Sequence, residues 1–383
     1  MMRLLLFLLM LSQLAQSQPG IKDSAAKPIF DLKGQMVAYG SYHFNAKPYW
    51  LLGGYALPEA SYAIPLKKKR LLDFDLSLNL QGNAAFNDFE EIADNGNLDP
   101  YRAWARYSGK QFEIRVGLQK LNFGSASSLR PLRWFDQVDP RDPQQLTTGV
   151  WALLGRYYFL NNANIWLWGL YQNASVRGWD VMSSDADIPE FGGRFQWPIK
   201  KGEMAFTAHH RMVDTKVLRP LGFRQDNISE WRFGLDGKWD VEIGLWYEIS
   251  SVHKQRNIGA ISNQTLINVG ADYTFALGNG LNVIAEHLLS SIDEAAYAFE
   301  NNNNLTAFTV AYPVGMFSNV NALLFYNWGT NSANTYFRVQ YDWPKITVHL
   351  MVFTNSTQQN LQQNELVNGL SGNGLQVLAV YNF

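Results

Sequence analysis

The sequence predicts an all-β chain folded as a transmembrane antiparallel up-and-down β-barrel of about 18 strands, with about 16 as the nearest alternative. Three observations predict it: apolar and polar residues alternate with period two along most of the chain, short turns alternate with long polar loops, and an alternating last segment ends in Phe383. Period-two alternation alone also fits a soluble β-sandwich, whose apolar face is its core. In a membrane barrel the apolar face meets lipid and the polar face lines a wet lumen.

Composition narrows the choice. Of 383 residues 47% are hydrophobic, 14% aromatic and only 17% charged. A soluble domain carries about 25% charged residues, whereas a wall with one charge-free face needs fewer. Lys and Arg number 32 against 33 Asp and Glu. This near balance excludes the basic footprint of a nucleic-acid binder. The absence of Cys excludes a disulfide scaffold, a thiol nucleophile, a Cys-ligated metal and lipid attachment to Cys.

The chain opens with Arg3, an unbroken apolar run from Leu4 to Met10, and small residues at Ala15 and Ser17. That order is a secretory signal peptide, 1–17, and the run is too short to span a bilayer. Residues 18–29 read as a polar periplasmic tail and 30–383 as the barrel. No other stretch is apolar for the length of a transmembrane helix.

Strands are read near 30–43, 50–63, 70–83, 99–107, 111–121 and 148–159, then 163–173, 189–197, 203–212, 229–238, 240–250 and 264–275. The last six are near 281–290, 305–312, 319–328, 334–342, 345–354 and 374–383. Leu72, Phe74, Leu76, Leu78 and Leu80 interleave with Asp73, Asp75, Ser77, Asn79 and Gln81. Trp231, Phe233 and Leu235 interleave with Glu230, Arg232, Gly234 and Asp236, and the same pattern recurs from 241 to 249. An even count places both termini in the periplasm. Short turns fall at 108–110, 160–162, 198–202, 237–238, 278–280, 313–315 and 343–344. Longer loops fall at about 86–98, 121–147, 174–188, 213–228, 251–263, 292–304 and 355–372. Trp197, Trp239, Phe275, Tyr312 and Trp343 sit on the apolar parity beside short turns, as an interfacial girdle requires. Leu375, Val377, Ala379, Tyr381 and Phe383 share one parity. This ending resembles the C-terminal signature of Gram-negative outer-membrane proteins. It implies delivery to the barrel-assembly machinery, with outer-membrane lipid and lipopolysaccharide as surroundings.

A barrel of this size encloses an aqueous channel. Parity sends Arg102, Arg106, Arg115, Arg156, Arg194, Arg211 and Arg232 to its inside, with Asp73, Asp75, Glu242, Glu248, Asp272 and Glu286 on flanking strands. A basic arc facing an acidic arc would set a transverse field that filters solutes by charge. The alternative is pairing between neighbouring strands that only stiffens the wall. The longest loop, 121–147, carries Arg130, Arg133, Asp136, Asp139, Arg141 and Asp142 around three prolines. Loops of this length are usually functional. Folding inward as a constriction and staying outside as a salt-bridged cap are both open.

No enzymatic arrangement is read. No Gly-x-Ser-x-Gly and no His-x-Ser nucleophile pairing is evident, and His209 and His210 point to opposite faces, so they share no metal. Neither a cofactor nor a metal is expected. A plugged transporter needs a long N-terminal domain that the sequence lacks.

Arg115-Val116-Gly117-Leu118-Gln119-Lys120-Leu121-Asn122-Phe123-Gly124, followed by Pro131-Leu132-Arg133-Trp134, resembles a motif of alginate-export-type porins. The resemblance covers about a tenth of the chain and implies an outer-membrane barrel that passes a polysaccharide. An exporter of an anionic polymer should have a strongly basic lumen, and the mixed arcs depart from that. The expected function is passive diffusion of small hydrophilic solutes or oligosaccharides. A non-conducting adhesin or scaffold, and then an outer-membrane hydrolase, are the alternatives.

Overall fold

A computed structural model describes residues 27–45, 47–87, 90–223, 226–355, 370 and 372–383. The expected signal peptide, most of the tail and most of loop 355–372 lie outside the described residues. The strands are β1 Ile29–His43, β2 Trp50–Leu66, β3 Arg70–Asn87, β4 Glu90–Ser108, β5 Phe112–Gln119 and β6 Val150–Tyr158. They continue as β7 Asn164–Leu170, β8 Glu190–Ile199, β9 Gly202–Asp214, β10 Asn227–Asp240, β11 Gly244–Lys254 and β12 Asn263–Phe275. The last are β13 Leu281–Asp293, β14 Asn302–Gly315, β15 Ser318–Asn327, β16 Ser332–Asp342, β17 Ile346–Thr354 and β18 Asn373–Asn382.

Each strand pairs antiparallel with the next, and β1 pairs with β18 from Gln35↔Asn382 to His43↔Gly374, closing an 18-stranded barrel. Gly34 and Phe383 exchange two backbone hydrogen bonds at the seam, 2.9 and 3.0 Å. Closure leaves no strand edge, which is what permits β-structure to stand in lipid. The outward side chains are the apolar parity: Leu76 is 56% exposed, Leu167 64% and Val377 50%. Water is a poor solvent for such a surface, and a bilayer matches it. The aromatic ends also stand outward, with Phe275 and Trp343 exposed and Tyr341 tilted against Trp343, ring centres 4.4 Å apart.

Three sequence expectations need correction. The short turn expected at 237–238 is strand, with Gly237 paired to Tyr247 and Lys238 to Trp246 between β10 and β11. The stretch 86–98 is not a loop, because β3 and β4 stay paired through Gln81↔Asn97 to Asn87↔Glu90. The hairpin projects with every residue from Glu90 to Pro100 exposed. With neither face of this β4 arm buried it has no reason to alternate, so period-two reading misses it. Glu242 is not a lumen residue. It sits at φ 93° in the turn between β10 and β11, where the Val241 N–H bonds the Ile243 carbonyl at 3.2 Å. The alternation of Val241, Ile243 and Leu245 runs on through that turn and hides it.

Candidate functional site

The segment between β5 and β6 turns inward and crosses the lumen. Glu286 on β13 accepts the backbone N–H groups of Ser127, Ser128 and Leu129 at 2.6, 2.8 and 2.7 Å, and the Trp246 indole at 3.1 Å. Glu248 on β11 accepts those of Ala126 and Leu132 at 2.7 and 3.2 Å. Trp134 donates to Ser250, and Asn268 donates to the Leu129 carbonyl. Farther along, Arg141 donates to the Tyr336 hydroxyl at 2.9 Å, and Arg102 holds the Thr147 carbonyl at 3.0 Å.

Apolar contacts follow the same path. Leu121, Phe123, Leu132, Trp134 and Phe135 pack on Val150, Leu154 and Trp168. Leu129 joins Leu266, Leu288, Leu305 and Phe353, while Leu146 joins Tyr39, Tyr55 and Leu378. One loop thus touches the wall on nearly every side. These lumen-facing leucines lie toward the long-loop ends of their strands. Toward the short-turn ends the inward side chains are polar and half-buried, among them Asp272, Asn282, Gln340 and Asp342.

The loop is preorganised by its own ion pairs. Arg130 clamps Asp136 through two 2.9 Å contacts, Arg141 clamps Asp139 at 2.6 Å, and Arg133 donates to the Val138 carbonyl at 3.0 Å. The Asp142 carboxylate accepts the N–H groups of Gln144 and Leu146, both at 2.9 Å. Burial pushes the Asp142 carboxyl up from its ordinary range, and those two N–H groups oppose the rise. Burial likewise pulls the Lys120 ammonium down at the start of the loop. A second loop, between β7 and β8, backs the first: Trp179 donates to the Arg130 carbonyl at 2.9 Å and Gln137 to the Val176 carbonyl. Gly178, at φ 53°, lies so close that a Cβ would stand 1.7 Å from the Arg133 carbonyl oxygen.

Gly124 shows how tightly the loop meets its anchor. Its φ is 104°, and a Cβ there would stand 2.2 Å from Glu248 Oε1. Gly124→Ala is therefore expected to push Glu248 off the Ala126 and Leu132 amides, with a backbone penalty of about 1–3 kcal/mol besides. Faster proteolytic cleavage within 121–147, in a barrel still folded by gel migration, is the measurement. Cleavage at the wild-type rate would show that the glycine is not required.

The wall carries two groups of charges. On β3 to β6, Arg106 forks onto Asp73 at 2.6–3.1 Å, and Glu113 receives Arg156 at 3.0 Å, Arg106 at 3.7 Å and Arg115 at 3.8 Å. Indoles sit between these guanidinium groups, Trp104 at 4.6 Å from Arg115 and Trp166 at 3.7 Å from Arg156. Three cations against two carboxylates leave this stretch positive, and the guanidinium side chains remain 16–28% exposed. Arg102 stacks on Tyr101 nearby, and Asp75 is half-buried on the same face.

On β8 to β11 the charges are shut away. Arg194 pairs with Asp236 at 2.6 Å. Glu230 binds Arg211 at 2.6 Å, Arg232 at 2.8 Å and Lys254 at 3.2 Å, and Asp180 of the second loop reaches Arg211 and Arg232. The arcs expected from the sequence therefore do not face each other across open water. Arg194, Arg211 and Arg232 are neutralised locally, while Glu248 and Glu286 hold loop amides. Glu113, Asp180, Glu230 and Asp236 were missed as partners. For two of them the signal is cross-strand register, since Glu113 lies opposite Arg156, and Glu230 opposite both Arg211 and Lys254.

A closed antiparallel barrel with an apolar outside and a long inward loop defines a porin-type transmembrane protein. In agreement, the chain is similar in structure to three solved porins. Against the anion-selective porin of Comamonas acidovorans the TM-score is 0.50, with 11% identity over 93% of this chain and 100% of that one. Against OccAB4 of Acinetobacter baumannii it is 0.52, with 9% identity over 94% and 98%. Against OmpF of Salmonella typhi, solved with daunomycin, it is 0.51, with 12% identity over 92% and 97%. At such identities the likeness is one of fold. No protein-family model and no curated protein matches the sequence. None of these three structures is described as an alginate-export porin.

Proposed function

We propose that the protein is an outer-membrane channel for passive diffusion of small hydrophilic solutes, narrowed by the loop 121–147 and biased toward anions. The observation that carries this reading is the inward loop pinned on Glu248 and Glu286 opposite a positive wall of Arg106, Arg115 and Arg156. A half-buried guanidinium row beside a constriction raises the local concentration of anions and lowers that of cations. The likeness to an anion-selective porin agrees in sign. The resemblance of residues 115–134 to a motif of alginate-export-type porins adds oligosaccharides as a second class of cargo, which the indoles of Trp104 and Trp166 suit. The signal peptide, the lipopolysaccharide surroundings and recognition of the strand ending at Phe383 by the assembly machinery belong to the same proposal.

Planar-bilayer recording tests it. Stepwise conductance is expected, and Arg106→Gln/Arg115→Gln/Arg156→Gln together should move the reversal potential toward cation preference. Folded, heat-modifiable protein that inserts without steps would overturn the channel and leave the scaffold reading. An unmoved reversal potential would remove the role of the arginine row.

A further inference from the structure

A second cluster, outside the lumen, has the geometry of a nucleophile. Ser251 and His253 are two residues apart on β11 and so share a face. Their parity is that of Leu245, which is exposed to the lipid side. Ser251 Oγ lies 2.8 Å from His253 Nε2. His253 Nδ1 lies 2.9 Å from Oδ1 of Asn263, its direct register partner on β12. The Asn263 amide donates to the Glu294 carbonyl at 2.7 Å, which fixes its oxygen toward the imidazole. That oxygen holds the proton on Nδ1 and leaves Nε2 as the base facing the hydroxyl. The Tyr297 hydroxyl stands 3.1 Å from Oγ and 3.2 Å from Nε2.

Half of this set is legible in the sequence. Ser251-Val252-His253 is Ser-x-His, and period two alone places both side chains together. Asn263 and Tyr297 come from β12 and the loop after β13, which no short motif joins. A neighbouring pair shows what chance yields: His210 Nε2 meets Ser229 Oγ at 2.9 Å on the same outer face, yet His210 Nδ1 has no hydrogen-bond partner.

We propose that Ser251, His253 and Asn263 form an acyl-ester hydrolase site on the outer wall, acting on ester-linked lipid of the outer leaflet. The argument for lipid is position. The set lies at the long-loop rim, on the lipid side, with Trp231 opposite His253 and Phe233 opposite Ser251. Both rings are exposed, as aromatics at the lipid interface are. In the reaction Ser251 Oγ attacks the ester carbonyl carbon while His253 Nε2 takes its proton. The Tyr297 O–H, in the third corner beside Oγ, donates to the developing oxyanion. The carbonyl reforms, the C–O bond to the lipid alcohol breaks, and His253 returns the proton to that alcohol. Water then attacks the acyl-serine, again through His253, releasing the fatty acid and restoring Ser251. Ser251 is 4% exposed, so the ester carbonyl enters between Oγ and the Tyr297 hydroxyl, which gives up its contact with Oγ and takes the carbonyl oxygen instead.

The test uses the folded barrel in mixed micelles of detergent and phosphatidylethanolamine, with a serine-reactive alkyl fluorophosphonate as a second readout. Wild-type protein and Ser229→Ala should label and release fatty acid equally. Ser251→Ala should do neither while still showing heat-modifiable migration, and His253→Ala should lose on the order of a thousand-fold in rate. No labelling and no release from wild type, or either activity persisting in Ser251→Ala, would overturn the site. Labelling without release of fatty acid would overturn lipid as its substrate.

Discussion

Glu248→Ala combined with Glu286→Ala is expected to raise single-channel conductance and open the loop 121–147 to protease. Five loop amides and one indole end on these two carboxylates. A hydrogen bond to a charged group contributes about 1.5–3 kcal/mol, and each buried donor left without a partner costs about 1–3 kcal/mol. Even with strong non-additivity, losing both anchors outweighs what remains on that wall, the packing of Leu129, its Asn268 hydrogen bond and the Trp134–Ser250 hydrogen bond. The near leg stays, because Phe123, Trp134 and Phe135 remain packed on β6 and β7 through Leu154 and Trp168. The loop should therefore swing from β11–β13 toward β6 rather than leave the lumen, which widens the passage instead of abolishing it. Glu286→Ala alone should give most of the effect, since it binds three consecutive amides where Glu248 binds two. Bilayer recording with parallel proteolysis is the measurement. Unchanged conductance and unchanged cleavage in the double variant would show that packing alone positions the constriction.

Why the loop's path was not legible while the strands were is a matter of what a period can encode. Every one of the expected strands appears, and 374–383 closes the barrel, because lipid outside and water inside impose opposite polarity on adjacent residues. Register follows from the same alternation, so the pairing of Glu113 with Arg156, or Glu230 with Arg211, was within reach of a neighbour-by-neighbour reading. Strand order alone instead groups the charges as two arcs, which the fold breaks up: Arg194, Arg211 and Arg232 find other carboxylates, while Glu248 and Glu286 hold loop amides. The loop is another case. Its sequence offered internal salt bridges as the mark of a cap staying outside; Arg130–Asp136 and Arg141–Asp139 do pair, but in a loop that lies inside. It could not show that Glu286, more than 150 residues away in sequence, would receive Ser128. Polar wall residues that bind backbone amides leave no complementary side chain in the sequence to find. Lumen-facing leucines at 266, 288 and 305 did carry a signal. An apolar side chain on the wet parity of three adjacent strands needs a cover, and the inward loop supplies it.

Glu230→Gln is expected to lower the unfolding temperature of the barrel more than neutralising any residue of the Arg106–Arg115–Arg156 row. Glu230 has a side chain 1% exposed and stands in register between Arg211 on β9 and Lys254 on β11, with Arg232 reaching the same oxygen as Arg211. An amide cannot balance three cations, and its own N–H donors would face them. Breaking a buried ion pair from one side costs about 3–5 kcal/mol because the surviving charge stays desolvated. Here Asp180 still serves Arg211 and Arg232, so Lys254 is the cation left without a carboxylate, keeping its hydrogen bond to the Ile261 carbonyl at 2.9 Å. Adding Lys254→Met should accordingly recover part of the loss, which a general weakening of β10 would not do. The temperature at which gel migration changes reads both variants, and an unshifted Glu230→Gln would mean that water reaches the network. The same logic separates structural from selective arginines. Charge enclosed by its own partners contributes little field to the lumen, so Arg232→Gln should disturb stability and leave ion preference near wild type. Removing Arg115 and Arg156, which share Glu113 with Arg106, should do the reverse.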